Sequence, residues 1–147
     1  MRIYIAAPYA ARAQVADAAT FLAEHGHECT STWKDGSREI HDGTVGTSAV
    51  STDEEVTKHA GGDLKDIKDS DLLVAFTSEY VTRTQDIPER WLHTGGRHVE
   101  MGYALALELP IIVVGTPENV FQRAAFCLEA HDLQDVVNII DEFIRPF

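Results

Sequence analysis

The stretch Thr94-Gly95-Gly96-Arg97-His98-Val99-Glu100-Met101-Gly102-Tyr103-Ala104-Leu105-Ala106-Leu107, running on into Pro110-Ile111-Ile112-Val113-Val114-Gly115, decides how the chain reads. Two glycines and a basic residue open a segment that reads as a buried helix, and the β-branched run after it reads as an interior strand. Glu100 is out of place in that company. It sits one turn into the helix among apolar neighbours, and carboxylates are seldom buried unless something holds them. Amides at a helix N-terminus stabilise anions, so an ionised Glu100 or a bound phosphate is chemically at home there. A first-turn glutamate that only complements the helix dipole fits equally well, and the stretch alone leaves both readings open.

Outward from it, strands and helices alternate. Residues 2–7 read as the first strand, ended by Pro8. Ala11, Val15, Ala18, Ala19 and Leu22 recur at helical spacing to about residue 25, with Gly26 as the stop. Residues 29–33 read as a short second strand and residues 34–50, rich in Gly, Ser, Thr and Asp, as a long loop. Thr52-Asp53-Glu54-Glu55 is a capping-box pattern opening a helix to about Lys68, with Gly61-Gly62 in its interior. Residues 71–76 are the third strand and residues 77–93 a polar loop. A helical turn near residues 118–123, an edge strand at 126–128 and a last amphipathic helix marked by Leu133, Val136, Val137, Ile140, Phe143 and Ile144 complete the chain. The alternation predicts one α/β domain over residues 1–147, its parallel sheet ordered 2-1-3-4-5 and covered on both faces. Ligands in such sheets sit at the carboxyl ends of the strands where the winding reverses, between strands one and three. Pro8, Tyr9 and Arg12 fall there, with Glu100 behind them. G-x-G-x-x-G and a Gly-Lys-Ser/Thr loop are absent, so neither the dinucleotide fingerprint nor the Walker loop applies.

A net charge of -12 argues against a nucleic-acid polymer or an anionic membrane as the main partner, while leaving room for one nucleotide held by a local cluster of Arg and amides. The sequence shows neither a membrane-length apolar run nor a signal-peptide pattern, and a cytoplasmic location is the expectation. Cys29 and Cys127 have no metal or redox spacing and read as reduced thiols. His93 and His98 have no third ligand at useful spacing, so no metal is expected.

Three groups converge if this topology holds. Glu100 starts the third major helix, Asp63 lies on the second beside the paired glycines, and Tyr4 lies on strand one. Two carboxylates facing one pocket suit attack at an acetal-like carbon, one as nucleophile and one handling the leaving group's proton. A tyrosine hydroxyl can hold the nucleophile in its reactive rotamer. Each residue also has a plainer reading. Asp63, Asp66 and Asp69, three apart, can be a solvated helix face, and Tyr4 can be core. Arg97 and Arg12 can be phosphate ligands or surface arginines.

Tyr4, then Gly62-Asp63-Leu64-Lys65-Asp66-Ile67-Lys68-Asp69-Ser70-Asp71, then Val99-Glu100-Met101-Gly102-Tyr103-Ala104-Leu105-Ala106 occur in that order. In this the chain resembles the nucleoside 2-deoxyribosyltransferase superfamily over residues 3 to about 115. The resemblance implies a flavodoxin-like three-layer domain, no cofactor, and a homo-oligomer acting on a small nucleoside or nucleotide. It implies that Glu100 attacks the anomeric carbon, that Asp63 serves the departing or incoming base, and that Tyr4 orients Glu100. The superfamily also holds hydrolases of nucleoside 5′-monophosphates. Six residues before the glutamate the best-known transferases carry aspartate and the hydrolases serine; this chain has Thr94. Gly96-Arg97-His98-Val99-Glu100 also resembles the hydroxymethyl-CMP hydrolase pattern. Thr94, the amides of Gly95 and Gly96, and Arg97 would then make a phosphate nest. Residues 77–93 are a candidate lid, with Trp91 against the base, or a segment completed by a neighbouring subunit. The expectation is therefore cleavage or transfer at a 2′-deoxynucleoside N-glycosidic bond through a deoxyribosyl-glutamate intermediate. Its rivals are a 2′-deoxynucleoside 5′-monophosphate N-hydrolase and a non-catalytic nucleotide-binding module.

Overall fold

The apolar runs of the sequence become the strands of one parallel sheet. In the computed structural model, which describes residues 1–36 and 52–144, its order is β2-β1-β3-β4-β5. β1 (Arg2–Ala6) and β3 (Leu72–Phe76) lie at the centre, with β4 (Ile111–Val114) beside β3. Ile3 pairs with Leu72, Ala6 with Ala75, and Val74 with Ile112. All five residues of β3 are buried, as an interior parallel strand requires. β5 (Cys127–Ala130) forms one edge and β2 (Glu28–Cys29) the other. α1 (Arg12–Glu24) meets α7 (Leu133–Ile139), while α2 (Asp53–Lys68) meets α5 (Gly96–Ala106). Right-handed crossovers put those two pairs on opposite faces. The fold class and the strand order are those the alternation of elements predicts.

Local chemistry sets the helix ends. Gly26 takes φ 83°, the left-handed turn that ends α1. Thr52 and Glu55 exchange both bonds of a capping box at the start of α2. Gly95, at φ 87°, turns the chain into α5. A Cβ at Gly61 would meet nothing within 4 Å, so no close neighbour explains that glycine.

Several boundaries differ from expectation. The second strand stops at Cys29, because Ser31 replaces the next ladder step with its side chain. Its Oγ accepts from Ile5 N at 2.7 Å and donates to Ile5 O at 3.0 Å. The chain then coils into a 3₁₀ turn (Thr32–Asp35) that buries Trp33. The loop expected over residues 34–50 lies outside the described residues from residue 37 onward. Residues 77–93 are not one loop. α3 (Ser78–Thr82) is capped by Thr77 Oγ1, which accepts from Tyr80 N, and α4 (Glu89–Leu92) follows Pro88. Val81 and Leu92 pin the two to the core. α6 (Val120–Arg123) is the expected short turn, and α7 runs on into a π turn over Ile140–Ile144. α5 is not buried all round: Met101 and Ala104 face inward, while Val99 is 68% exposed. Among the described residues no helix is long and apolar enough to cross a membrane.

Candidate active site

Tyr4 is fully buried on β1, and α5 packs across β1 and β3. That packing sets the Tyr4 hydroxyl against the α5 carboxylate, and it donates a short hydrogen bond to Glu100 Oε2. Glu100 is largely withdrawn from water. Desolvation pushes its pKa up to about 8, outweighing the Tyr4 hydrogen bond that stabilises the anion; the charge of Asp63 raises it further and that of Arg97 lowers it. Burial, with Glu100 and Asp63 nearby, moves the Tyr4 phenol far above its ordinary value, so it stays protonated and remains a donor. Asp63 comes from α2, which lies along α5, and acts on both groups through its charge. The structure therefore joins Tyr4 of β1 to Glu100 of α5, with Asp63 of α2 near enough for its charge to act on both.

The aspartates at spacing three separate here. Asp66 ties α2 to the turn after β2, accepting from Thr32 N at 3.2 Å and Thr32 Oγ1 at 2.7 Å. Asp69 pairs with Lys65 at 2.5 Å on the surface. Of the three, Asp63 raises the pKa of Glu100 through its charge, and Asp66 acts on Tyr4 beside it.

The other predicted positions lie at the start of α5, on the turn after β1 and on α4. Thr94, Gly95 and Gly96 are exposed at the start of α5, where Gly95 O accepts from His98 N and Val99 N at 3.1 and 3.3 Å. A Cβ on Gly96 would stand 4.0 Å from Glu100 Oε1, at the edge of contact with the oxygen that Tyr4 does not hold. After β1, Pro8 is buried and Tyr9 half-buried. The Tyr9 ring lies between Trp33, 6.0 Å away, and the exposed Arg12, whose guanidinium sits 5.2 Å from the ring centre. α4 packs on this same turn and carries Trp91, half-buried, with Arg90 5.4 Å from the indole.

Arg97 corrects the sequence reading. The expected phosphate ligand is 4% exposed and turned inward. Its guanidinium donates to Phe76 O at 2.7 Å, Leu92 O at 3.3 Å, Ser78 Oγ at 3.3 Å and Glu118 Oε2 at 3.1 Å. Those acceptors occupy the fork that a phosphate would need. Two residues escaped the sequence reading. Trp33 was assigned to a strand, and its burial against Tyr9 follows only from the turn that Ser31 creates. Glu118 stood in a segment whose only signal was a helical turn. His93 lies 3.9 Å from Glu89, and His98 Nδ1 3.4 Å from Asn119. Among the described residues no three His, Cys, Asp or Glu side chains gather as a metal set. Cys29 and Cys127 are free thiols whose pKa values burial raises.

Sheet order and site together define a flavodoxin-like α/β domain with a phenol-held carboxylate beside the winding reversal. No protein-family model matches the sequence, and no curated protein matches it either. Solved structures do share the fold. A CMP N-glycosidase from Clostridium botulinum is 19% identical, with TM-score 0.53 over 97% of this chain and 100% of that one. A 2-deoxyribosyltransferase from Bacillus psychrosaccharolyticus is 20% identical, with TM-score 0.62 over 94% of this chain and 91% of that one.

Proposed function

We propose that this protein is an enzyme that cleaves or transfers at the N-glycosidic bond of a 2′-deoxynucleoside or its 5′-monophosphate. The observation that carries the reading is the Tyr4–Glu100 hydrogen bond, with Asp63 acting on both, in a fold shared with an N-glycosidase and a deoxyribosyltransferase. Glu100 Oε1, the oxygen not engaged by Tyr4, attacks C1′. The C1′–N bond breaks, its electron pair leaves with the base, and Asp63 delivers the proton that neutralises the base. A second base, or water in a hydrolase, then attacks C1′ as it gives its proton back to Asp63; the C1′–O bond breaks and Glu100 leaves as the carboxylate. The pathway needs one proton on the carboxylate pair, with Glu100 as the anion. A cationic, sugar-like transition state favours that ionised form although burial opposes it in the empty site. With Arg97 engaged internally, a 5′-phosphate would rest on Thr94, the Gly95 and Gly96 amides and Arg12, and Trp91 and Tyr9 would flank the base.

The test is incubation with a panel of deoxynucleosides and their monophosphates, with free base read by chromatography and a second base added in parallel. Free base from wild type and none from Glu100→Gln is the expected result. New nucleoside in the parallel tube assigns transfer; its absence, with base still released, assigns hydrolysis. Binding without base release from any substrate would leave a nucleotide-binding module and overturn the reading.

A further inference from the structure

We propose that Arg97 is a positioning residue for Glu100, clamped by Glu118 and joining the first turn of α5 to the α4 segment that carries Trp91. The inference rests on the reading of Glu100 as nucleophile, but its first test does not need turnover. Arg97 is one of the few buried charged residues among those described. A buried cation costs several kcal/mol unless it is paired and its donors are filled. Here Nη1 and Nη2 meet acceptors from four places: the last residue of β3, the start of α3, the end of α4 and the loop after β4. Glu118 is itself held, its backbone N donating to Gln122 Oε1 at 2.7 Å and its Oε2 accepting from Ser78 Oγ at 2.9 Å. The clamp thus ties the connections after β3 and β4 to the helix that carries the nucleophile, and Arg97 stands one turn from Glu100.

Among the described residues, the groups that act most on Glu100 come from three elements, and Asp66 of α2 acts on its partner Tyr4. β1 contributes Tyr4, α2 contributes Asp63, and α5 contributes Arg97; β3 and β4 bring no titratable side chain. Among the described residues, Arg97 is thus a cation that opposes Asp63 in the field at Glu100, and Glu118 mutes it. Changes at the two ends of the clamp should move Glu100 in opposite directions. Arg97→Met removes the cation and raises the Glu100 midpoint. Glu118→Gln keeps a hydrogen-bond acceptor, leaves the cation less compensated, and lowers it.

The experiment follows the Glu100 side-chain carboxyl by carbon-13 NMR across pH in ligand-free protein, with Glu100→Gln identifying the signal. Opposite shifts in Arg97→Met and Glu118→Gln support the proposal; no shift in either, or shifts of one sign, overturn it. If Arg97→Met does not fold, Glu118→Gln alone decides, a downward shift supporting the proposal and any other result overturning it. In active enzyme, Arg97→Met should lose on the order of 100-fold in kcat with KM little changed, and Arg97→Lys should recover part of it. Loss in KM alone would mark Arg97 as a substrate contact and overturn the assignment. Absence of base release by wild type, with the opposite NMR shifts present, would instead sink the enzymatic reading and leave the clamp standing.

Discussion

Glu100 links ionisation to folding. An unfolded glutamate ionises near pH 4.5, and this one near pH 8, so between those values the folded protein keeps a proton that the unfolded chain has lost. Stability should fall as pH rises from about 5 to about 8, and Glu100→Gln should remove that fall. Allowing for the part of the side chain that meets water, the variant should gain about 1–3 kcal/mol over wild type at pH 8 and little at pH 5. Thermal melts at both values check this; an equal difference at the two would mean that Glu100 is not desolvated. Tyr4→Phe removes the bond that favours the carboxylate, so the pH at which activity rises should move up by about one to two units. An unmoved profile would sever Tyr4 from Glu100. Glu100 stood out in the sequence as an acid among apolar helix neighbours, whereas Tyr4 fits a core strand equally well and its tie to Glu100 was implied by the resemblance. Arg97 reads in the sequence as a phosphate ligand or a surface arginine, and the structure buries it. One position of sequence separates an arginine aimed out at a phosphate from one folded inward, and only the acceptors waiting at Phe76, Leu92 and Glu118 decide between them.

The elements most legible in the sequence are those whose signals are local. The capping box at Thr52, the glycine stop at Gly26 and the apolar runs of β1, β3 and β4 needed no tertiary information. β2 and the α3–α4 segment did. Ser31 ends a strand by bonding to Ile5 across the sheet, and α3 and α4 are too short for periodicity to show. Their anchoring is a packing matter and can be tested at Gly115, where β4 ends at φ 99°. A Cβ there would stand 2.2 Å from Thr77 Oγ1 and 2.8 Å from Tyr80 Cβ, the cap and first turn of α3. Gly115→Ala must both adopt a left-handed backbone and push α3 away, which should cost roughly 2–4 kcal/mol in urea unfolding. A loss below about 0.5 kcal/mol, the range of ordinary surface changes, would show that α3 is not seated against β4.

At the scale of the whole molecule, the net charge of -12 and the proposed substrates pull in different directions. A nucleoside is neutral and approaches Glu100 without regard to the field. A 5′-monophosphate carries about two negative charges at neutral pH and must approach an acidic protein. On the proposed reading Arg12, exposed beside Tyr9, is the arginine left for capture, since Arg97 is turned into the fold. Repulsion reaches about 30 Å at 0.01 M salt and about 8 Å at 0.15 M. The kcat/KM for a monophosphate should therefore rise several-fold across that range, while that for the matching nucleoside stays level. The two arms share one enzyme, one sugar and one base, so the difference between them isolates the phosphate. A monophosphate rate that falls with salt would mean that Arg12 and the amides opening α5 outweigh the molecule's overall charge. The approach to Glu100 would then be a local basic funnel in an acidic protein, built for the nucleotide and not for the free nucleoside.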